Sequence, residues 1–162
     1  MTGSLLLHHA APSRSSTVLW MLEELGVPYE LHALDLKAGD QRKADYLAIN
    51  PMGKVPALEH DGTLITEVGA ICVYLADAFP AAGLAPAIGD PSRGPYLRWM
   101  FFQGNAFEPA IIDRALKREP GPASTLPYGD FDTAISTVAQ ALGTGPWFLG
   151  NRFTALDVYF GS

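Results

Sequence analysis

Asn50-Pro51-Met52-Gly53-Lys54-Val55-Pro56-Ala57-Leu58-Glu59-His60-Asp61-Gly62-Thr63-Leu64-Ile65-Thr66-Glu67-Val68 is the stretch on which the reading of the fold depends. Val55–Glu59 and Thr63–Thr66 are two strand-like runs joined by His60-Asp61-Gly62, and an Asp-Gly joint this short predicts an antiparallel hairpin. Asn50-Pro51-Met52-Gly53 is a turn ahead of it. Behind it, Glu67–Phe79 carries apolar residues at Val68, Ile71, Cys72 and Leu75, the spacing of a helix.

Upstream, Leu5-Leu6-Leu7-His8-His9 suits a buried strand, and Ala10–Ser16 is a turn rich in N-cap residues. Val18, Met21, Leu22 and Leu25 give a helical period that Gly26 and Pro28 stop. Tyr29–Leu36 alternates as a second strand, and Arg42–Ile49 is a short helical stretch. Strand, helix, strand within about 35 residues is a parallel crossover unit. Followed by a hairpin and a helix, it is the order of a thioredoxin-like α/β domain with a mixed four-stranded sheet.

Pro80–Pro91 holds three prolines and two glycines and marks a linker. Beyond it no strand is needed. Pro95–Lys117 reads as one long apolar helix, with Trp99 and Phe101 in the core, and Tyr128–Leu142 as another. Phe153-Thr154-Ala155-Leu156-Asp157-Val158 reads as a helix start. Thr154 caps, Asp157 reaches back, and Phe153 staples onto Val158. The expected organisation is an α/β domain at 1–79, a linker at 80–87 and an all-α domain at 88–162.

The net charge of −6 is split into 5 basic against 10 acidic residues in 1–80, and 6 against 7 in 81–162. Scattered cations on an acidic chain argue against nucleic-acid binding. The single cysteine, Cys72, excludes an internal disulfide and any zinc–cysteine site, and on its apolar face it reads as a small hydrophobe. His8 and His9 are adjacent on a strand and point to opposite faces, so they do not chelate together, and His32 and His60 add no metal spacing. No apolar run approaches the ~18 residues of a membrane helix, and Met1–Leu7 lacks the form of a secretory signal. The expected compartment is the cytoplasm.

Three segments together resemble the cytosolic glutathione S-transferases of bacterial type: Ser13-Arg14-Ser15-Ser16-Thr17-Val18-Leu19-Trp20-Met21-Leu22-Glu23-Glu24-Leu25-Gly26-Val27-Pro28-Tyr29, Asn50–Leu58, and Thr66–Ile71. The helical half with its Phe-Thr-Ala-Leu-Asp element extends the resemblance to the end of the chain. It implies an enzyme that conjugates the glutathione thiolate to small hydrophobic electrophiles, with glutathione as co-substrate, no metal, and a homodimeric state. Two alternatives stay open, an inactive binding or regulatory module of the same fold and a glutathione-dependent peroxidase or reductase. The absence of cysteine between Pro12 and Ser16 speaks against mixed-disulfide chemistry.

Lowering a thiol from a pKa of about 8.5 to about 6.5 takes about 2.7 kcal/mol, which a charge-assisted hydroxyl bond of ~1.5–3 kcal/mol nearly supplies. The resemblance points to Ser13 for that bond, with Ser15 as the alternative. Capping alone also favours serine there. It further implies that Pro56 is cis, that Val55 pairs through its main chain with the cysteinyl unit, and that Glu67 binds the γ-glutamyl ammonium. The N–H of Val68 would hold the adjoining carboxylate, although family members usually carry serine at this position. Lys54 is a candidate for the glycyl carboxylate. Arg98, Phe102, Asn105 and Glu108 fall on related turns of the long helix and are candidates for the electrophile site between the domains. The last helix has only eight residues after its cap, so the resemblance also implies a C-terminal portion missing after Ser162.

Overall fold

The computed structural model describes residues 3–143 and 145–162. Residues 1, 2 and 144, counted above within the two domains, lie outside the described residues. The chain divides into two compact units. One runs to Leu84 and includes Gly161–Ser162, and the other is Ala85–Phe160.

In the first unit β1 (Leu5–His9), α1 (Ser15–Leu25) and β2 (Glu30–Ala33) form the parallel crossover, followed by α2 (Ala44–Ile49), β3 (Ala57–His60), β4 (Thr63–Thr66) and α3 (Val68–Ala78). The sheet order is β2-β1-β3-β4, with β1 parallel to β2 and antiparallel to β3, and β3 antiparallel to β4. This is the mixed four-stranded, thioredoxin-like sheet expected above. At the hairpin Asp61 and Gly62 take φ of 50° and 78°, the left-handed pair that a two-residue turn needs to match strand twist. α1 stops where Gly26, at φ 64°, turns its N–H back onto the carbonyls of Leu22 and Glu23.

β2 is shorter than the Tyr29–Leu36 run suggested. Asp35 ends it, because its carboxylate accepts the N–H groups of Lys37 and Ala38 and bends the chain away from the ladder. The core of this unit gathers Leu5, Leu7, Val18, Met21, Leu22, Leu58, Ile71, Cys72 and Leu75, with α1 packed on α3. His8 points to the other face of the sheet, where its ring meets Tyr46 of α2.

In the second unit the expected single helix is two helices, α4 (Arg93–Phe102) and α5 (Glu108–Ala115), joined by a π-helical turn at Gln103–Phe107. Pro109 explains the break. It has no N–H to return to the carbonyl of Asn105, four residues back, and the wider turn bonds Glu108 N–H to Gln103 instead. Trp99 is buried against Phe102, Phe148 and Phe160, whereas Phe101, expected in the core, is 67% exposed.

α6 spans Phe131–Leu142 and α7 Ala155–Phe160. α6 begins three residues later than its period suggested because Asp130 caps it, accepting Thr133 N–H at 2.8 Å and Thr133 hydroxyl at 2.7 Å. The Thr133 hydroxyl, then its N–H, hold the Asp130 carboxyl below the ordinary aspartate range. A depressed carboxyl stabilises the fold above its unfolded pKa, and that contribution is lost as pH falls through the lower folded value. Asp130→Asn is therefore expected to keep most of the cap near neutrality and to flatten the acid limb of a thermal-stability-against-pH profile. An acid limb identical to that of the wild type would remove this assignment.

Candidate functional site

The register brings three segments to one end of the sheet. His8 of β1 pairs with Ala57 of β3, and Ala57 pairs with Thr66 of β4. Ser13 follows the exit of β1, Val55 precedes the entry of β3, and Glu67 follows the exit of β4. Strands β1, β3 and β4 together span about 10 Å, close to the length of an extended tripeptide.

At the first segment the hydroxyls are densely bonded. Ser15, fully buried, has its Oγ 2.8 Å from Nδ1 of His9 and 2.7 Å from Oγ of Ser13, and it accepts the N–H of Ala10 at 3.1 Å. Ser13 is half-buried, donates to the carbonyl of Ala10 at 2.5 Å and accepts the N–H of Ser15 at 3.1 Å. The serines thus anchor the start of α1, with Ser13 nearer the surface. The sequence did not point to His9 in this network.

At the second segment Val55-Pro56 is cis, as is Ala11-Pro12, which was not anticipated. β3 begins only at Ala57, so the N–H and carbonyl of Val55 stand ahead of the ladder. The preceding turn is fixed from two sides. Tyr46 hydroxyl and Asn50 Nδ2 donate to the Lys54 carbonyl at 2.7 and 2.9 Å, and Asn50 Oδ1 accepts Met52 N–H. The Lys54 side chain is exposed. The sequence marks Asn50 only as a turn residue and does not mark Tyr46, since their shared partner is a main-chain carbonyl that carries no side-chain signal.

At the third segment Glu67 is exposed and takes φ 69° at the head of α3, in a region that side chains other than glycine rarely adopt. Val68 is the first helical residue, so its N–H is one of the groups the helix itself leaves unpaired.

The electrophile candidates are arranged differently from the sequence expectation. Arg98 is exposed, with its guanidinium 4.2 Å from the Trp99 ring centre. Phe102 packs edge to face on Trp99, Asn105 is exposed inside the π-helical turn, and Glu108 opens α5. The wider turn rotates the residues after Phe102 out of α-helical phase, so the four do not continue one regular face.

Burial pushes the Cys72 thiol up to about 12, which leaves it inert as a nucleophile. His8 bridges His32 and Glu59, with Nδ1 2.8 Å from Nδ1 of His32 and Nε2 2.8 Å from Oε1 of Glu59. Among the described residues no group of three or more His, Cys, Asp and Glu is arranged to hold a metal ion, and no helix is long and apolar enough to cross a membrane.

The model of the glutathione S-transferase N-terminal domain matches residues 13–78. Glutathione S-transferase GstA of Escherichia coli O157:H7 is 32% identical over 140 residues, which cover 85% of this chain and 70% of that protein. Glutathione S-transferase hmp2 of Hypomyces subiculosus is 38% identical over 166 residues, covering 94% of this chain and 77% of that one. The chain belongs to the glutathione S-transferase family. Among solved structures, a glutathione transferase homologue from Sulfitobacter with bound glutathione superposes on 99% of this chain and 80% of its own length, at 30% identity and a TM-score of 0.74. Within this transferase-family chain, Ser13, Ser15, Lys54, Val55, Pro56, Glu67 and Val68 all fall inside the matched 13–78 segment, whereas Arg98, Phe102, Asn105 and Glu108 lie beyond it.

Proposed function

We propose that this chain is a glutathione transferase that adds the glutathione sulfur to small hydrophobic electrophiles. The observation that carries the reading is the register row His8–Ala57–Thr66, which gathers a serine hydroxyl, an unladdered main-chain pair and a helix start with an adjacent carboxylate at one sheet end. A tripeptide laid across it would pair its cysteinyl main chain with Val55 next to Pro56. Its γ-glutamyl ammonium would meet Glu67 and its carboxylate the Val68 N–H, with Lys54 near the glycyl end.

Ser13 then exchanges its bond to the Ala10 carbonyl for one to sulfur. The thiol proton leaves to solvent, and the hydroxyl stabilises the thiolate that remains. The thiolate attacks the electrophilic carbon, a C–S bond forms, and the leaving group departs with its bonding pair. Phe102, Asn105 and Glu108, with Arg98, are proposed contacts for the electrophile. A homodimer, the state implied by the family resemblance, completes the proposal and is checked by light scattering.

Glutathione titrated calorimetrically into the unmodified chain at millimolar concentration is expected to release or absorb heat, and a flat trace would remove the proposal. If it binds, Ser13→Ala should lower kcat/KM toward a generic aryl halide at least tenfold, the equivalent of a charge-assisted bond of about 1.5–3 kcal/mol. Unchanged turnover in both Ser13→Ala and Ser15→Ala would remove the serine mechanism. Binding without turnover in the wild type would favour a non-catalytic module, consistent with Val68 having no hydroxyl to offer.

A further inference from the structure

Proton counting in the His9–Ser15–Ser13 cluster has one consistent solution. Ser13 Oγ stands 2.5 Å from the Ala10 carbonyl oxygen, which has no hydrogen, so the single Ser13 hydroxyl proton occupies that contact. The 2.7 Å contact between Ser13 and Ser15 must then be filled by the Ser15 proton. Ser15 has nothing left to donate across the 2.8 Å to His9, so Nδ1 of His9 carries the hydrogen and donates. Under this assignment Ser15 accepts from His9 Nδ1–H and Ala10 N–H and donates once. Ser13 accepts from Ser15 N–H and Ser15 O–H and also donates once. The reverse tautomer sets two oxygen lone-pair regions against each other at either 2.5 or 2.7 Å. The 3.1 Å approach of Ser15 Oγ to the Ala10 carbonyl is the long, secondary contact.

We infer that His9 is a positioning residue for the thiol chemistry, heading a one-way donor chain from its Nδ1–H through Ser15 to Ser13. The inference rests on the proposed role of Ser13. Both acceptor sites of the Ser13 oxygen are filled from behind, which polarises its O–H outward and strengthens the bond it gives. Ser13 meets sulfur by turning its proton away from the Ala10 carbonyl, while the protons of Ser15 and His9 stay on the atoms that carry them. His9 never touches the substrate. Ser15, fully buried, transmits the effect rather than meeting sulfur itself.

The ring tautomer is tested first, on the unmodified chain, by 15N NMR of the imidazoles near neutral pH. The expected result is a His9 ring protonated at Nδ1, and a bare Nδ1 with protonated Nε2 would overturn the inference whatever the variants do. The second test follows the apparent pKa of the enzyme-bound glutathione thiol through its thiolate absorbance. His9→Leu is expected to raise it by about 0.4–1 pH unit, the worth of one ordinary hydrogen bond. His9→Asn, which sets an amide N–H near the Nδ1 position, is expected to restore most of that. In a Ser13→Ala background the His9→Leu change should add nothing further. A structural role alone would lower stability or raise KM while leaving the thiol pKa in place, and that result counts against the inference. If Ser13→Ala itself leaves the thiol pKa unmoved, the serine mechanism falls and this inference with it. If Ser13→Ala raises it and His9→Leu does not, only the inference falls.

Discussion

Gly53→Ala is expected to destabilise the first unit by about 3–4 kcal/mol and to lower its melting temperature by about 10 °C or more. Two effects combine. Gly53 has φ +58°, where a side chain costs about 1–2 kcal/mol, and a Cβ there would lie 2.6 Å from the main-chain oxygen of Gln41. That oxygen belongs to the backbone and cannot rotate away, so either the Asp40–Arg42 turn or the Asn50–Lys54 turn must move. Gly39 supplies the control. It has φ +77° but nothing within 4 Å of an added Cβ, so Gly39→Ala should show the conformational cost alone, about 1–2 kcal/mol. Thermal unfolding of the two variants separates the terms, and equal losses would show that the Gln41 contact relaxes freely. Gly53 also sits one residue before the Lys54 carbonyl held by Tyr46 and Asn50, so the same variant should weaken glutathione binding through Val55.

Asp157→Ala is expected to cost about 3–5 kcal/mol in the second unit. Asp157 is only 7% exposed, and its two oxygens accept Phe148 N–H at 3.0 Å, Thr154 N–H at 2.8 Å and the Thr154 hydroxyl at 3.1 Å. Truncation strands two buried N–H groups at about 1–3 kcal/mol each and removes half of the cap on α7. It also frees the Phe148 segment from α7, whose Phe160 ring packs at a 39° tilt on Phe148, 4.3 Å between centres. Thr154→Ala removes the hydroxyl alone and should cost about 1 kcal/mol. Denaturant midpoints followed by near-ultraviolet dichroism make the comparison. An Asp157→Ala chain no weaker than Thr154→Ala would mean that water replaces the carboxylate.

Much of this architecture was legible because its signals are local. Asp61-Gly62 announces its turn through left-handed residues, Gly26 announces a helix end, and Thr154 with Asp157 announces a helix start three residues wide. The motif run from Ser13 to Ile71 also placed the candidate glutathione residues inside the family-matched segment. The π-helical turn has a readable trace in the sequence: a proline at 109 deprives the carbonyl of residue 105. β2 ends before its alternating pattern does, because the Asp35 carboxylate that turns the chain acts through main-chain bonds that alternation does not show. Phe101 faces solvent while Trp99 is buried because helix phase, which aromatic content does not carry, sets which ring meets the core.

Long-range partnerships were not legible. His8, His32 and Glu59 are separated by 24 and 51 residues, and they meet only because β1 is central and pairs on both edges. His9 gained its place beside Ser15 because β1 ends where α1 begins, with the ring turned toward the helix start. The sequence by itself determined the order of strands and helices in the first unit, the stops at Gly26 and Asp61-Gly62, the helix start at Thr154, and the family. Only the tertiary structure decided which hydroxyl faces outward, which main-chain carbonyl is pinned by Tyr46 and Asn50, and which ring nitrogen must carry a proton. Turns and caps are set by the φ preferences and side-chain reach of a few neighbouring residues, whereas a donor chain depends on distances of a few tenths of an ångström between segments that strand register alone brings together.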